Sequence, residues 1–147
     1  MKFNCTVEIN APIDEVSQIF SDPELAKNWH PDLVSITPVD GPPGQAGSTA
    51  ILKFPKFDLH ETIVSNNLPA EFTGEYLAEG ICWNTMKNQF TDLGQGKTRY
   101  DAEIDYRFDG FMVKVMSKIM PWMFRKQVLK SMQRLKTFAE SQTQVKN

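Results

Sequence analysis

The stretch from Arg99 to Phe108 alternates between two kinds of side chain, and this alternation constrains the fold more than any other feature. One set is apolar and consists of Tyr100, Ala102, Ile104, Tyr106 and Phe108. The other set is charged and consists of Arg99, Asp101, Glu103, Asp105 and Arg107. Because successive side chains of a β-strand point to opposite faces, the pattern predicts a strand with one packed face and one solvated face. Such strands are typical of antiparallel sheets that are covered on one side.

Six further segments have strand-like composition. They cover residues 2–10, 33–39, 48–54, 57–65, 71–78 and 81–91. Loop composition separates several of them: residues 40–47 and 66–70 are rich in Gly, Pro and Asn, and residues 93–96 form a tight hairpin connection. Together with 99–108 these segments predict a curved antiparallel sheet of about seven strands. The chain has 147 residues, which indicates a single domain over 1–147.

Helical spacing of apolar residues appears after the first strand and again in the C-terminal part. Pro12 precedes a predicted helix at 13–20, and a shorter helix is predicted at 23–28. The C-terminal part is predicted to be helical to about Ser141, but Pro121 lacks an amide hydrogen and disfavours helical geometry at the preceding residue. We therefore expect a break or kink near Pro121. The expected apolar face is Met112, Val113, Val115, Met116, Ile119 and Met120 before it, and Phe124, Val128, Met132, Leu135, Phe138 and Ala139 after it.

The net charge of −2 hides an uneven distribution along the chain. After residue 110, Glu140 is the one acid beside eight lysines and arginines. The sequence favours a solvated basic face that complements an acidic sheet, and it leaves open an anionic partner such as a membrane surface. Nucleic-acid binding is not expected, because the acidic sheet region would repel phosphate. No signal peptide is visible at the N-terminus, so we expect a cytoplasmic protein.

The order of elements, together with short motifs along the whole chain, resembles the helix-grip fold of the START and Bet v 1-like (SRPBCC) superfamily. Within it the chain is similar to small proteins of the polyketide cyclase/dehydrase type. The matching segments are residues 7–16, residues 21–29, Gly47-Ser48, Glu61-Thr62-Ile63-Val64, Leu68-Pro69-Ala70-Glu71-Phe72, Phe90 followed by Gly94-x-Gly96-Lys97-Thr98, and Leu135-Lys136 with Glu140. The resemblance implies an α+β architecture of order β-α-α-β6-α, in which the sheet wraps around the C-terminal helix and a cavity lies between them. Relatives bind lipids, hormones, sterols or polyketides, and some are cyclases or aromatases.

The strand at 81–91 supplies candidate polar contacts for a ligand in such a cavity. If Phe90 points inward, as the family pattern implies, then Cys82, Asn84, Met86 and Asn88 share its face. Buried amides need hydrogen-bond partners, which could be each other, water, tyrosine hydroxyls or a ligand. An apolar pocket with a few convergent polar groups is typical of small-molecule sites. The candidate ligand contacts are Tyr76, Asn84, Met86, Asn88, Tyr100, Tyr106, Met116 and Met120, and the loops 40–47 and 66–70 are candidate gates.

Catalytic and metal motifs are weak in this sequence. The chain has two histidines, His30 and His60, and no His/Cys cluster with metal-ligand spacing, so no metal and no cofactor are expected. His60 and Tyr106 are the candidates for an acid or base. The glycines at 94 and 96 lack the upstream glycine and the following helix of a phosphate-binding loop.

Three functions remain open at this point. The leading prediction is a binder of a small, largely apolar molecule that is lipid-, polyketide- or aromatic-like, either without catalysis or with no reaction that the sequence assigns. The second is a cyclase, aromatase or dehydratase acting on such a molecule. The third is a membrane- or protein-docking module that uses the aromatic and basic segment around Pro121 and Trp122. The sequence indicates no particular oligomeric state.

Overall fold

A computed structural model, which describes residues 1–146, contains one seven-stranded antiparallel sheet and three α-helices. The strands are β1 (Lys2–Ile9), β2 (Ser35–Asp40), β3 (Thr49–Lys53), β4 (Asp58–Asn67), β5 (Glu71–Ala78), β6 (Cys82–Gly94) and β7 (Lys97–Phe108). The helices are α1 (Ile13–Ser21), α2 (Phe111–Ile119) and α3 (Pro121–Lys146). The strand order is β1-β7-β6-β5-β4-β3-β2. The predicted helix-grip fold is confirmed, because the long C-terminal helix packs against the sheet.

The alternation in β7 separates the two faces of the sheet as expected. Tyr100, Ala102 and Ile104 are almost fully buried, whereas Glu103 and Arg107 are exposed. We call the face that carries the buried set the concave face and the opposite face the outer face. α3 lies against β1 and α1, and α1 lies over β6 and β7, so the main core fills this corner of the concave face.

The C-terminal helix breaks where proline chemistry predicts. α2 ends at Ile119, Met120 leaves helical geometry with φ −129° and ψ 55°, and α3 begins at Pro121. Past the break, Met132, Leu135 and Ala139 of the expected apolar face are buried. Before the break, α2 is packed less closely than α3, because within the described chain no residue of α2 is buried. Of the expected apolar face, Val113, Val115 and Met120 are half-buried, whereas Met112, Met116 and Ile119 are exposed.

The short helix expected at 23–28 is a 3-10 helix restricted to Ala26–Asn28. The amides of Leu25 and Ala26 donate to the carbonyls of Asp22 and Pro23, three residues earlier in the chain. Bonds with this spacing are those of turns and 3-10 helices, and an α-helix requires bonds four residues apart.

Thr98 fixes the link between β1 and α1, and its removal gives a testable loss of stability. Its buried hydroxyl donates to the Ala11 carbonyl at 2.8 Å. Thr98→Val keeps the shape but leaves that carbonyl unpaired, so we expect the free energy of unfolding to fall by about 1–2 kcal/mol in urea denaturation. Thr91→Val, at an exposed position of β6, is the control and is expected to change little. Equal effects of both substitutions would contradict this role.

Candidate functional site

The concave face carries four polar side chains at one level of the strands. Glu61 of β4 is directly opposite Tyr76 of β5. Tyr76 is opposite Asn84 of β6, and Asn84 is opposite Tyr106 of β7. Opposed residues of antiparallel strands project to the same face, and neighbouring strands lie about 4.8 Å apart. The four residues therefore form a line of about 14 Å across β4–β7, which we call the polar row.

Asn84 lies inside the polar row, and its amide is incompletely paired. Its Oδ1 is buried and has no hydrogen-bond partner among residues 1–146, while the residue as a whole is half-buried. A buried acceptor without a donor costs about 1–3 kcal/mol. Native proteins contain few such groups, and each needs a physical explanation. A bound molecule that donates a hydrogen bond would supply one.

Glu61 and Tyr76 form the other end of the polar row. Burial raises the pKa of Glu61, and a hydrogen bond with Tyr76 offsets part of that rise. Burial also raises the pKa of Tyr76 well above its ordinary value, and the adjacent Glu61 carboxylate adds to the effect. A methyl group at Gly74 would lie 2.6 Å from the Tyr76 hydroxyl oxygen, so the tyrosine ring needs a glycine there. The pair thus places a carboxyl group and a phenol side by side.

Tyr106 joins the polar row to the start of α3 through aromatic contacts. Its ring centroid lies 5.4 Å from that of Phe108 and 5.6 Å from that of Phe124, which follows Pro121 on α3. Phe3 stacks on the other side at 5.9 Å. Burial raises the pKa of Tyr106 to about 12, so the phenol keeps its proton at neutral pH. It can donate a hydrogen bond to a ligand, but it is not a base there.

Asn88 and Tyr100 are placed differently from the other candidate ligand contacts. The Tyr100 hydroxyl donates to Asn88 Oδ1 at 2.6 Å, and Asn88 Nδ2 donates to the Phe72 carbonyl at 3.2 Å. Asn88 is 1% exposed, and the Tyr100 ring packs against Phe20 and Phe90. The two side chains hydrogen-bond to each other inside the core, so a role in packing the fold accounts for both residues.

The methionine candidates lie on different parts of the chain and differ in burial. Met86 projects from β6 between Asn84 and Asn88 and is half-buried. Met120 is half-buried at the helix break, and Met116 on α2 is 39% exposed. The two candidate gate loops touch each other, because Asn66 Nδ2 donates to the Gly44 carbonyl at 2.6 Å.

His60 lies on the opposite side of the sheet from the polar row. It is exposed, and its strand partners are Ile51 and Leu77, which also project outward. Its neighbour Glu61 faces inward instead, and the sequence prediction omitted it from the site. The inward set of β4, Leu59-x-Glu61-x-Ile63, carried the signal, since a carboxyl group between two apolar residues would be buried. Within the described chain, no group of three His, Cys, Asp or Glu side chains could hold a metal ion.

The raised pKa of Glu61 predicts a specific pH dependence of stability. The folded protein holds this proton more tightly than the unfolded chain, whose carboxyl titrates near 4.5. The contribution of Glu61 to stability is therefore fully present below that pH and is lost as the pH rises through the folded pKa. We expect Glu61→Gln to gain stability relative to the wild type as urea denaturation is repeated from about pH 4 to about pH 8.

Glu75→Gln is the matched control, because Glu75 lies on the outer face of the neighbouring strand. Glu61→Gln should therefore gain more stability between about pH 4 and about pH 8 than Glu75→Gln does. A flat difference for Glu61→Gln would contradict a raised pKa at Glu61.

Two surface grooves lie away from the polar row. One of about 390 Å³ lies between β1 and α3 and is lined by Val7, Glu8, Gln133, Lys136 and Thr137. The Lys136 ammonium there already donates to the Glu8 carbonyl and to Glu140. The other groove, of about 280 Å³, lies on the outer face among charged side chains. Most of the residues that line either groove are polar or charged, and neither groove includes a residue of the polar row.

A curved antiparallel sheet around a C-terminal helix, with polar groups on its concave face, defines a START/Bet v 1-like helix-grip protein. A family model described as polyketide cyclase/dehydrase and lipid transport matches residues 1–140. The chain belongs to this family. A search of curated protein sequences finds no match.

Solved structures with the same fold cover nearly the whole chain. The Zhui aromatase/cyclase of a Streptomyces species has a TM-score of 0.81 at 12% identity, covering 97% of this chain and 95% of that one. A conserved protein of Geobacillus kaustophilus has a TM-score of 0.78 at 11% identity, covering 96% of each chain. Norcoclaurine synthase of Thalictrum flavum, solved as a point mutant with a transition-state analogue, has a TM-score of 0.70 at 12% identity, covering 97% and 96%. At these identities the likeness concerns the fold.

Proposed function

We propose that the concave face binds a small, largely apolar molecule whose one hydrogen-bond donor is accepted by Asn84 Oδ1. The observation that carries the proposal is the buried, unpartnered oxygen of Asn84 within residues 1–146. Half-buried Met86 and the aromatic side chains beside Tyr106 supply apolar surface around it. The family, described as acting in polyketide cyclisation or dehydration and in lipid transport, supports a ligand-binding or cyclase role.

A pair of matched aromatic probes tests the proposal. A naphthol carries a hydroxyl donor on an apolar frame, whereas its methyl ether keeps the frame and loses the donor. We expect the wild type to bind the naphthol about tenfold more tightly than the ether, because one hydrogen bond to a desolvated acceptor contributes about 1.4 kcal/mol. Isothermal titration calorimetry measures both affinities.

Asn84→Leu is expected to bind the two probes equally, since it removes the acceptor and keeps the branched arrangement of four side-chain heavy atoms. Gln89→Ala, at an exposed outward position on the same strand, should keep the preference. A tenfold preference that survives in Asn84→Leu would place the donor elsewhere and contradict the proposal.

A second candidate function rests on the raised pKa of Glu61 beside the Tyr76 phenol. A carboxyl group whose pKa moves toward neutrality suits general acid–base catalysis, as an aromatase, cyclase or dehydratase requires. Glu61 would take a proton from carbon next to a ketone, while a tyrosine hydroxyl donates to the ketone oxygen.

Hydrogen–deuterium exchange of α-tetralone, an apolar ketone with such protons, tests this chemistry by NMR. We expect the wild type and Glu75→Gln to accelerate the exchange, and Glu61→Gln to lose the acceleration. Equal rates with Glu61→Gln and with wild-type protein would exclude Glu61 as the base.

A further inference from the structure

The apolar face of α2 is open to solvent. Met112, Met116 and Ile119 are spaced to share one side of the helix, and Met112 and Ile119 are 71% and 70% exposed. Phe111 at the start of α2 is 79% exposed, and Trp122 just past the break is 58% exposed. Contiguous exposed apolar residues of this size mark interaction sites on soluble domains. We call these five residues the α2 patch.

The rest of α2 explains why the α2 patch remains uncovered. The helix packs against β7 and α3. Its half-buried residues are Val113, Val115 and Ser117, and of these Val113 and Ser117 lie on a different side of the helix from Met112 and Ile119. Packing α2 onto the protein therefore leaves the patch pointing away from it.

The charges beside the α2 patch have a single sign. Lys114 and Lys118 lie on the side of α2 opposite Met112 and Met116, and Arg125 and Lys126 follow on the next turn past Trp122. None of these four side chains forms a salt bridge with the described residues. The chain has no acid between Asp109 and Glu140. The segment thus combines an apolar stripe with free cations on the other side of α2.

We propose that the α2 patch docks on the surface of a bilayer that contains anionic lipids. An amphipathic helix with aromatic and aliphatic residues on one side and lysines on the other lies in the plane of the interface. Each lysine or arginine near an anionic surface adds to the attraction, and tryptophan favours the headgroup level. Within residues 1–146, no helix has the length and hydropathy of a membrane span. This surface is separate from the polar row, so the proposal goes beyond ligand binding.

Co-sedimentation with lipid vesicles tests the docking. We expect the wild type to bind vesicles of phosphatidylcholine with phosphatidylglycerol, and to bind pure phosphatidylcholine at least about tenfold more weakly. Binding should fall when salt is raised from about 50 mM to about 500 mM, because salt screens the lysines. The Trp122 emission should shift to the blue on binding, and Trp122→Phe should remove that shift.

Two pairs of variants separate the apolar and the electrostatic contributions. Met112→Ser with Ile119→Ser should weaken binding by about tenfold or more, whereas Val39→Ser with Val145→Ser, at exposed positions elsewhere, should not. The double variant Lys114→Glu, Lys118→Glu should weaken vesicle binding by a similar factor. The control is Lys27→Glu with Lys97→Glu, which changes the net charge by the same amount and should leave vesicle binding unchanged. Circular dichroism checks that every variant is folded.

Three outcomes would overturn the proposal. The first is a wild type that stays in the supernatant with anionic vesicles at low salt. The second is a Met112→Ser, Ile119→Ser variant that binds as the wild type does. The third is a wild type that does not bind vesicles but forms a stable dimer in analytical ultracentrifugation, while the same variant is monomeric. That result would assign the α2 patch to contact with a second copy of the chain.

Discussion

Asn88→Leu is expected to lower the free energy of unfolding by about 3 kcal/mol. The substitution leaves the Tyr100 hydroxyl and the Phe72 carbonyl without their partner in the core. Each unpaired buried group costs about 1–3 kcal/mol, and Tyr100 has no route to solvent because it is 1% exposed. Urea denaturation followed by circular dichroism measures the loss.

Asn84→Leu is the matched control, because Asn84 lies four residues away on the same strand and the same face. The Asn84 oxygen has no partner to lose, and the substitution removes the hydrogen bond between Asn84 and the Tyr106 hydroxyl, so we expect stability to change by less than about 1 kcal/mol. Adding Tyr100→Phe to Asn88→Leu should recover part of the loss, since both partners are then apolar. Equal destabilisation by the two leucine variants would show that Asn84 is as fully paired as Asn88.

Leu135→Ala is expected to cost about 3–4 kcal/mol of unfolding free energy. Leu135 is fully buried on α3, in the core that α3 forms with β1 and α1. Removing its branched end leaves a cavity in close-packed surroundings, and the lost contacts add to the lost transfer free energy. Thermal unfolding and urea denaturation both measure the effect.

Val145→Ala near the end of the same helix is the control, because Val145 is 82% exposed. It should change stability by less than about 0.5 kcal/mol. A loss below about 1 kcal/mol for Leu135→Ala would show that α3 is not held by the sheet as the fold requires.

The elements that were predictable from sequence depend on local physics. The alternation of β7 requires one wet face and one packed face in any sheet, and the structure has both. Pro121 cannot sit inside an uninterrupted helix, and the break is where its ring and missing amide hydrogen require it. These features follow from a few neighbouring residues.

Other features depend on what lies opposite in space. Asn84 and Asn88 have the same alternation, but only Asn88 has Tyr100 within reach of its oxygen. The spacing of α2 identifies its apolar side correctly, yet spacing cannot state whether a partner covers that side. The position of Glu61 beside Tyr76 depends on the register between β4 and β5. Because the register is set by the whole sheet, the sequence alone does not predict that these four residues form the polar row.

Side-chain amide resonances, followed by NMR while the naphthol is added, test the ligand site most directly. The Asn84 amide reports on the polar row, the Asn88 amide on the closed core, and the Gln133 amide on the groove between β1 and α3. We expect a saturable shift of the Asn84 resonances with Asn88 and Gln133 nearly unchanged. A saturable shift at Gln133 without one at Asn84 would contradict binding on the concave face.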